Sequence, residues 1–149
     1  MATTVPLVSS GTAGPLKAIH LPRLWLKLTL SAAGKLPEGY DECGAGFDAM
    51  TISALGLDRD KVIDFVKRTK PTYIQFEEWV VAQNGGRLDP AKVEAHNAAI
   101  RGYNHSDELA AKMRSAAGIK DSSVKDAVTL NTVEDLDEIH REVTGKVTA

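Results

Sequence analysis

The chain has 149 residues, 43% of them hydrophobic and 26% charged, with a formal net charge of −2; this is the make-up of one soluble domain able to bury a core without disulfide or metal staples. The near-neutral balance excludes a general nucleic-acid binder, whose footprint is basic, and no apolar run reaches the roughly 20 residues of a membrane span. Cys43 is the single cysteine, so a disulfide framework and a Cys-based zinc site are both ruled out within the chain, and a reducing cytoplasm is the expected compartment.

Residues 1–16 are rich in Thr, Ser, Gly and Pro without periodicity, which predicts a flexible N-terminal arm ahead of a domain over 17–146. The opening residues lack the cationic start and long apolar core of a signal peptide. From His20 to Gly34 two patterns compete. Leu24, Leu26, Leu28 and Leu30 alternate like a strand, while Leu21, Leu24, Trp25, Leu28 and Ala32 form a helical stripe. Pro22 near the start, Gly34 as a stop and good helix formers between them favour the helix.

After a Gly-rich loop, Phe47, Met50, Thr51, Ala54 and Leu55 give a helical face that Gly56 ends. Asp58 is the N-cap of the next helix, with Val62, Phe65 and Val66 inward. Pro71 suits a first helical turn, and Tyr73, Phe76, Trp79 and Val80 follow at helical spacing up to Gly85-Gly86.

Asp89-Pro90 opens the most informative helix, with Asp as N-cap and Pro at N1. Here Val93, His96, Ile100 and Tyr103 share one face, and Asn97 and Arg101 lie four apart beside it. Ser106, followed by Asp107 and Glu108, caps another helix whose Leu109, Met113 and Ala117 point inward. A short helical piece is expected around Val124 to Leu130. A last helix is then expected from Asn131 or Thr132, with Leu136, Ile139 and Val143 inward and its acids in water. The reading is an all-α, compact single domain of six to eight short helices.

Charge is uneven along this order. Residues 1–35 hold Lys17, Arg23, Lys27 and Lys35 with no acid, whereas from residue 121 seven acids face three bases. Separate solvated faces, or attraction between the two ends, is the ordinary account; a basic patch for an anionic ligand is the sharper one.

Four segments together resemble a bacterial domain-of-unknown-function family: His20-Leu-Pro-Arg23, the Gly-rich loop leading to Phe47-Asp48, Lys70-Pro-Thr-Tyr73 with Phe76 and Trp79, and His96-Asn-Ala-Ala-Ile-Arg-Gly-Tyr103. The resemblance runs from His20 to the final helix, and its last motif is the most specific. It implies a small, helical, stand-alone bacterial protein, and carries over no catalytic or binding residue.

The chemistry is therefore argued from residue types. A histidine on an apolar face is ordinarily a hydrogen-bonded core residue, but His96 is also the natural candidate for a general acid/base at neutral pH. Arg23 and Arg101 offer fork-shaped donors to a carboxylate or phosphate, against the plainer role of pairing with a structural acid such as Asp48 or Glu77. Tyr73 and Tyr103 complete an acid–base set with His96 or simply pack with one hydrogen bond each. Metal ligation by His20, His96, His105 or His140 has only the single Asp137-x-x-His140 step behind it, without the paired motifs a helical di-metal site needs, and acids beside Cys43 disfavour a reactive thiol.

The leading expectation is a metal-independent, cofactor-free protein that binds or converts an anionic small molecule. His96, Tyr103 and Tyr73 would be catalytic, with His20, Arg23, Asn97 and Arg101 holding the substrate. The second reading is an interaction module, such as a homo-oligomer built on an apolar face with Trp25 or Trp79.

Overall fold

A computed structural model of the protein describes residues 5–146, and the described residues outside helices lie in turns and loops, apart from one isolated β-bridge between Asn104 and Asp126. Seven helices appear among them: α1 (Leu21–Ala32), α2 (Phe47–Ala54), α3 (Arg59–Thr69), α4 (Tyr73–Gln83), α5 (Pro90–Arg101), α6 (Asp107–Ala117) and α7 (Ala127–Thr144). None of them is long and apolar enough to cross a membrane. The all-α expectation is borne out.

Helix starts follow the capping chemistry of the sequence. Asp58, Asp89 and Ser106 each accept a backbone N–H of the first turn. Thr72 and Gln75 form a reciprocal capping box that starts α4, so Pro71 precedes the cap and does not occupy the first turn.

The core gathers α1 (Leu21, Leu24, Leu28) with Ile52, Leu55, Val62, Val66, Phe76, Val80 and Val93 from α2 to α5. Each such side chain contributes about 1.5–3 kcal/mol on burial. Trp25 and Trp79 pack against this cluster, Trp25 donating its indole N–H to Pro71 O at 3.1 Å and Trp79 stacking on Phe65 at 4.7 Å. The apolar side chains left exposed are others, among them Ile74, Leu109 and Leu136.

The last third of the chain departs from the expected pattern. A single helix, α7, runs from Ala127, with Asp126 as its cap accepting Thr129 N–H; no break falls before Asn131. The side chains expected to restart the helix are engaged elsewhere. Thr132 Oγ1 donates to Val128 O and meets Ser9 Oγ at 2.8 Å, while Asn131 Oδ1 meets His105 Nε2 at 3.1 Å. Its inward residues are Ala127, Leu130 and Asp135, whereas Leu136 and Val143 are 57% and 79% exposed. On α6 it is Ala110 that is buried, and Leu109 faces out.

The first four residues of the segment read as a flexible arm lie outside the described residues. From Val8 onward the segment is tied down: Val8 O accepts from Arg23 Nη1 at 2.9 Å, Ser9 reaches Thr132, and Ser10 reaches His20. Gly14 sits where a Cβ would come within 2.5 Å of the Tyr73 ring and 2.6 Å of Glu77 Oε2, so only glycine lets the backbone pass that close.

Candidate functional site

One face of α1 carries polar and charged side chains, and it is buried. His20, at the N-cap, and Arg23 and Lys27 recur at i, i+3 and i+7, the spacing of a single helical face. All three are at most 7% exposed. Charges are seldom this deep without partners, and the partners come from two other places in the chain.

The first partner is Asp48, in the opening turn of α2. It meets His20 Nε2 at 2.6 Å through Oδ1, and its Oδ2 accepts Lys27 Nζ and, at 2.7 Å, Gly44 N–H. Burial opposes ionisation of this carboxyl, but the His20 hydrogen bond and the Lys27 charge outweigh it, and its pKa lies below the ordinary value. Burial lowers the His20 pKa despite Asp48. The pair is therefore a carboxylate and a neutral imidazole, which fixes the tautomer: Nε2 carries the proton that Asp48 accepts. Nδ1 is left as the basic nitrogen, and Ser10 Oγ lies 3.0 Å from it, so the Ser10 hydroxyl donates there.

The second partner is Asp135 of α7, which takes Arg23 Nη1 at 2.6 Å and Nη2 at 3.4 Å. Tyr40 donates to Asp135 Oδ1 at 3.0 Å and to Glu138 Oε2 at 2.6 Å, and burial followed by these acids pushes its pKa well up.

His20 itself is held in the left-handed region, at φ +69°, which costs a non-glycine residue on the order of 1–3 kcal/mol. Helix α5 supplies the restraint. His96 Nε2 lies 3.0 Å from Ile19 O, Asn97 Oδ1 accepts Ile19 N–H at 3.0 Å, and Asn97 Nδ2 donates to Lys17 O at 2.6 Å. The His96–Asn97 pair thus clasps the peptide next to His20 from behind.

His20, Arg23, Lys27 and Asp48 line a cavity of about 400 Å³ whose walls also include Ser10, Phe47, Tyr103 and His105. Phe47 sets its ring edge-on to both His20 and Tyr103, at 5.5 and 5.6 Å. Tyr103 O accepts Ala127 N–H, and Lys125 O accepts His105 N–H, fixing this turn to the start of α7.

Of the residues proposed from sequence, His20, Arg23 and Tyr103 meet at this cavity. His96 and Asn97 stand behind it as positioning residues. Tyr73 is elsewhere, donating to Glu77 Oε2 at 2.7 Å, and Arg101 lies exposed on a separate groove with Lys17 and Asn97. Of the other wall residues, the sequence offers Lys27 only as part of a basic N-terminal stretch, Asp48 as a structural acid, His105 as a metal ligand without supporting spacing and Asn131 as a helix start, and it gives Ser10 no role. The available signal was the Arg23–Lys27 pair, four apart within a stripe of leucines.

Two buried neutral histidines make stability depend on pH. Burial lowers the pKa of both His20 and His96 below 6.5, so below about pH 6.5 the unfolded chain binds protons that the folded chain does not. Stability is full above that value and falls on acidification, with Asp48 adding a further loss only below about pH 4. His96→Gln, whose amide reaches the same carbonyl without titrating, is expected to flatten the fall between about pH 7.5 and 5.5 in urea titrations. An unchanged slope rules His96 out as a contributor.

Comparison with functionally curated proteins returned no match. A family model matches residues 16–140, which takes in six of the seven helices and most of α7 together with His20, Arg23, Lys27, Asp48 and Asp135. The chain belongs to the family described as domain of unknown function DUF5069.

Proposed function

We propose that this protein binds a small anionic molecule in the cavity between α1, α2 and the start of α7, and moves a proton on it without a metal. The observation that carries this reading is His20: a neutral imidazole at the cavity wall with its tautomer set by a buried carboxylate. That is the base-competent form of a general acid/base. The role the sequence suggests for His96 passes to His20, because His96 is committed to the Ile19 backbone.

The walls favour negative charge. Arg23 and Lys27 stand on the wall, each answered by a buried carboxylate, Asp135 and Asp48; the N-terminus of α2, which no side chain caps, adds its partial positive charge there. Phe47, Met50 and Tyr103 offer an apolar surface for the remainder of a ligand. A volume of about 400 Å³ lies at the small end of the range for metabolite sites. The buried, lone Cys43 thiol fits a reducing compartment such as the cytoplasm. An interaction module built on Trp25 or Trp79 has less support, since both rings pack against the core.

A thermal-shift screen of small carboxylates and phosphates tests this. A ligand at a hundredfold excess over its Kd stabilises by about 2.7 kcal/mol. The expected hit is lost in Tyr103→Leu and His105→Ala and kept in Arg101→Ala and Tyr73→Phe. A hit with the reverse pattern moves the site to the Arg101 groove, and a screen without hits removes the proposal.

A further inference from the structure

Ser10 is a polar residue in a glycine-rich turn, 2% exposed, with a side chain on the cavity wall. Its position is fixed from both sides. Ser9 Oγ meets Thr132 Oγ1 at 2.8 Å, Val8 O takes Arg23, and Thr12 N–H closes the turn onto Ser9 O at 3.0 Å. From Ser10 a linear chain of hydrogen bonds runs to His20 Nδ1 at 3.0 Å and from His20 Nε2 to Asp48 Oδ1 at 2.6 Å. Lys27 and Gly44 N–H anchor its far end.

We infer that Ser10 is a nucleophile, activated by His20 and Asp48, and that the cavity hydrolyses a small carboxylic ester. The inference rests on the cavity being the ligand site. A hydroxyl is a weak nucleophile until a base takes its proton, and the base needs a third group to hold its tautomer and to stabilise the imidazolium that forms. All three are present in the required order, with the two imidazole nitrogens exchanged relative to the usual serine-hydrolase arrangement: the hydroxyl faces Nδ1 and the carboxylate Nε2.

Ser10 Oγ bonds to the ester carbonyl carbon while its proton passes to His20 Nδ1. The carbon–oxygen bond to the leaving alcohol breaks, and that oxygen takes the proton from Nδ1. Water then adds to the acyl carbon with His20 as base, the Ser10 ester bond breaks, and Ser10 recovers its proton. Acid and alcohol leave. The negative charge that develops on the carbonyl oxygen has a natural place at the start of α2. First-turn N–H groups there have no intrahelical acceptor, and the space in front of Gly46 is open, with no atom within 4 Å of where a Cβ would stand. Phe47 and Met50 flank it as an acyl surface. Because Ser10 is reached only through the cavity, short acyl groups are the substrate class.

A short-chain alkyl fluorophosphonate, incubated with the intact protein and followed by mass spectrometry and peptide mapping, tests the assignment. One adduct is expected, on Ser10, absent in Ser10→Ala. It should form about 10²–10⁴-fold more slowly in His20→Gln, with both variants checked for folding by circular dichroism. The wild-type result stands whether or not the variants fold. No adduct on wild type between about pH 6 and 9, an adduct on another residue, or an adduct whose rate a folded His20→Gln leaves unchanged overturns the inference. If it falls while the anion screen still gives hits lost in Tyr103→Leu, the cavity remains a binding site and only the nucleophile is wrong. If both fail, the site itself is wrong.

Discussion

Asp48→Ala is expected to remove about 3–5 kcal/mol of folding stability, a fifth or more of the roughly 5–15 kcal/mol that a domain commonly has. The substitution deletes few apolar contacts, so packing is not the reason. It leaves the Lys27 ammonium, 7% exposed, without its counter-charge, and strips the acceptor from His20 Nε2–H and Gly44 N–H at once. Lys27→Met makes the opposite cut. The charge goes, the aliphatic stem is retained, and Asp48 keeps its two other donors, so the loss should be clearly smaller. Urea unfolding of both variants at neutral pH decides the matter. Near-equal small losses, under about 1 kcal/mol, would mean that water enters to solvate Lys27 and that the buried carboxylate is not what neutralises it. The result bears on function as well, because the carboxylate that neutralises Lys27 is also the one that sets the His20 tautomer.

The elements were legible because they depend on neighbours in sequence. Asp58, Asp89-Pro90 and Ser106 start helices through side chains that reach two or three residues along the chain. The leucine stripe of α1 resolved a strand–helix ambiguity through Pro22 and Gly34. Val93, His96 and Ile100 share a buried face of α5 as their spacing predicts, whereas Tyr103, the fourth residue of that stripe, lies beyond the end of α5 and is 48% exposed. The site was less legible, since its partners are remote. Nothing near Arg23 shows that Asp135, 112 residues away, will bury it, and a lysine four residues on reads as solvated until Asp48 is known to lie opposite. Helix α7 illustrates the same limit. Asn131 and Thr132 have the composition of a helix start, but contacts to His105 and Ser9 occupy them. The inward stripe is then set by what α7 packs on, so Asp135 turns in and Leu136 turns out. The sequence groups His20, Arg23 and Tyr103 with Tyr73, His96, Asn97 and Arg101, and the fold brings only the first three to one cavity wall; Ser10, in a turn, and Asp48, at the start of α2, reach His20 only through the tertiary fold.

The Arg23–Asp135 pair separates two reasons a buried ion pair persists. Breaking it singly, by Arg23→Met or Asp135→Leu, is expected to destabilise by about 3–5 kcal/mol, which corresponds to a fall in Tm of roughly 6–20 °C for a chain this long. In the first variant Asp135 keeps the Tyr40 hydroxyl; in the second the guanidinium keeps Val8 O and the Tyr40 ring 5.9 Å away. The double variant carries no buried charge at this position, and hydrophobic replacements of such pairs are neutral or stabilising by up to about 4 kcal/mol. It should therefore recover most of the lost stability, giving a large favourable coupling in a double-mutant cycle. Stability alone would then not require the pair. What the apolar version cannot reproduce is the bond from Arg23 to Val8 O, which holds the turn carrying Ser10 against His20. A stable double variant that no longer binds the cavity ligand, or whose Ser10 no longer reacts with fluorophosphonate, would show that the pair positions that turn. A double variant with both properties intact would make Arg23 a scaffold residue whose place on the cavity wall is incidental.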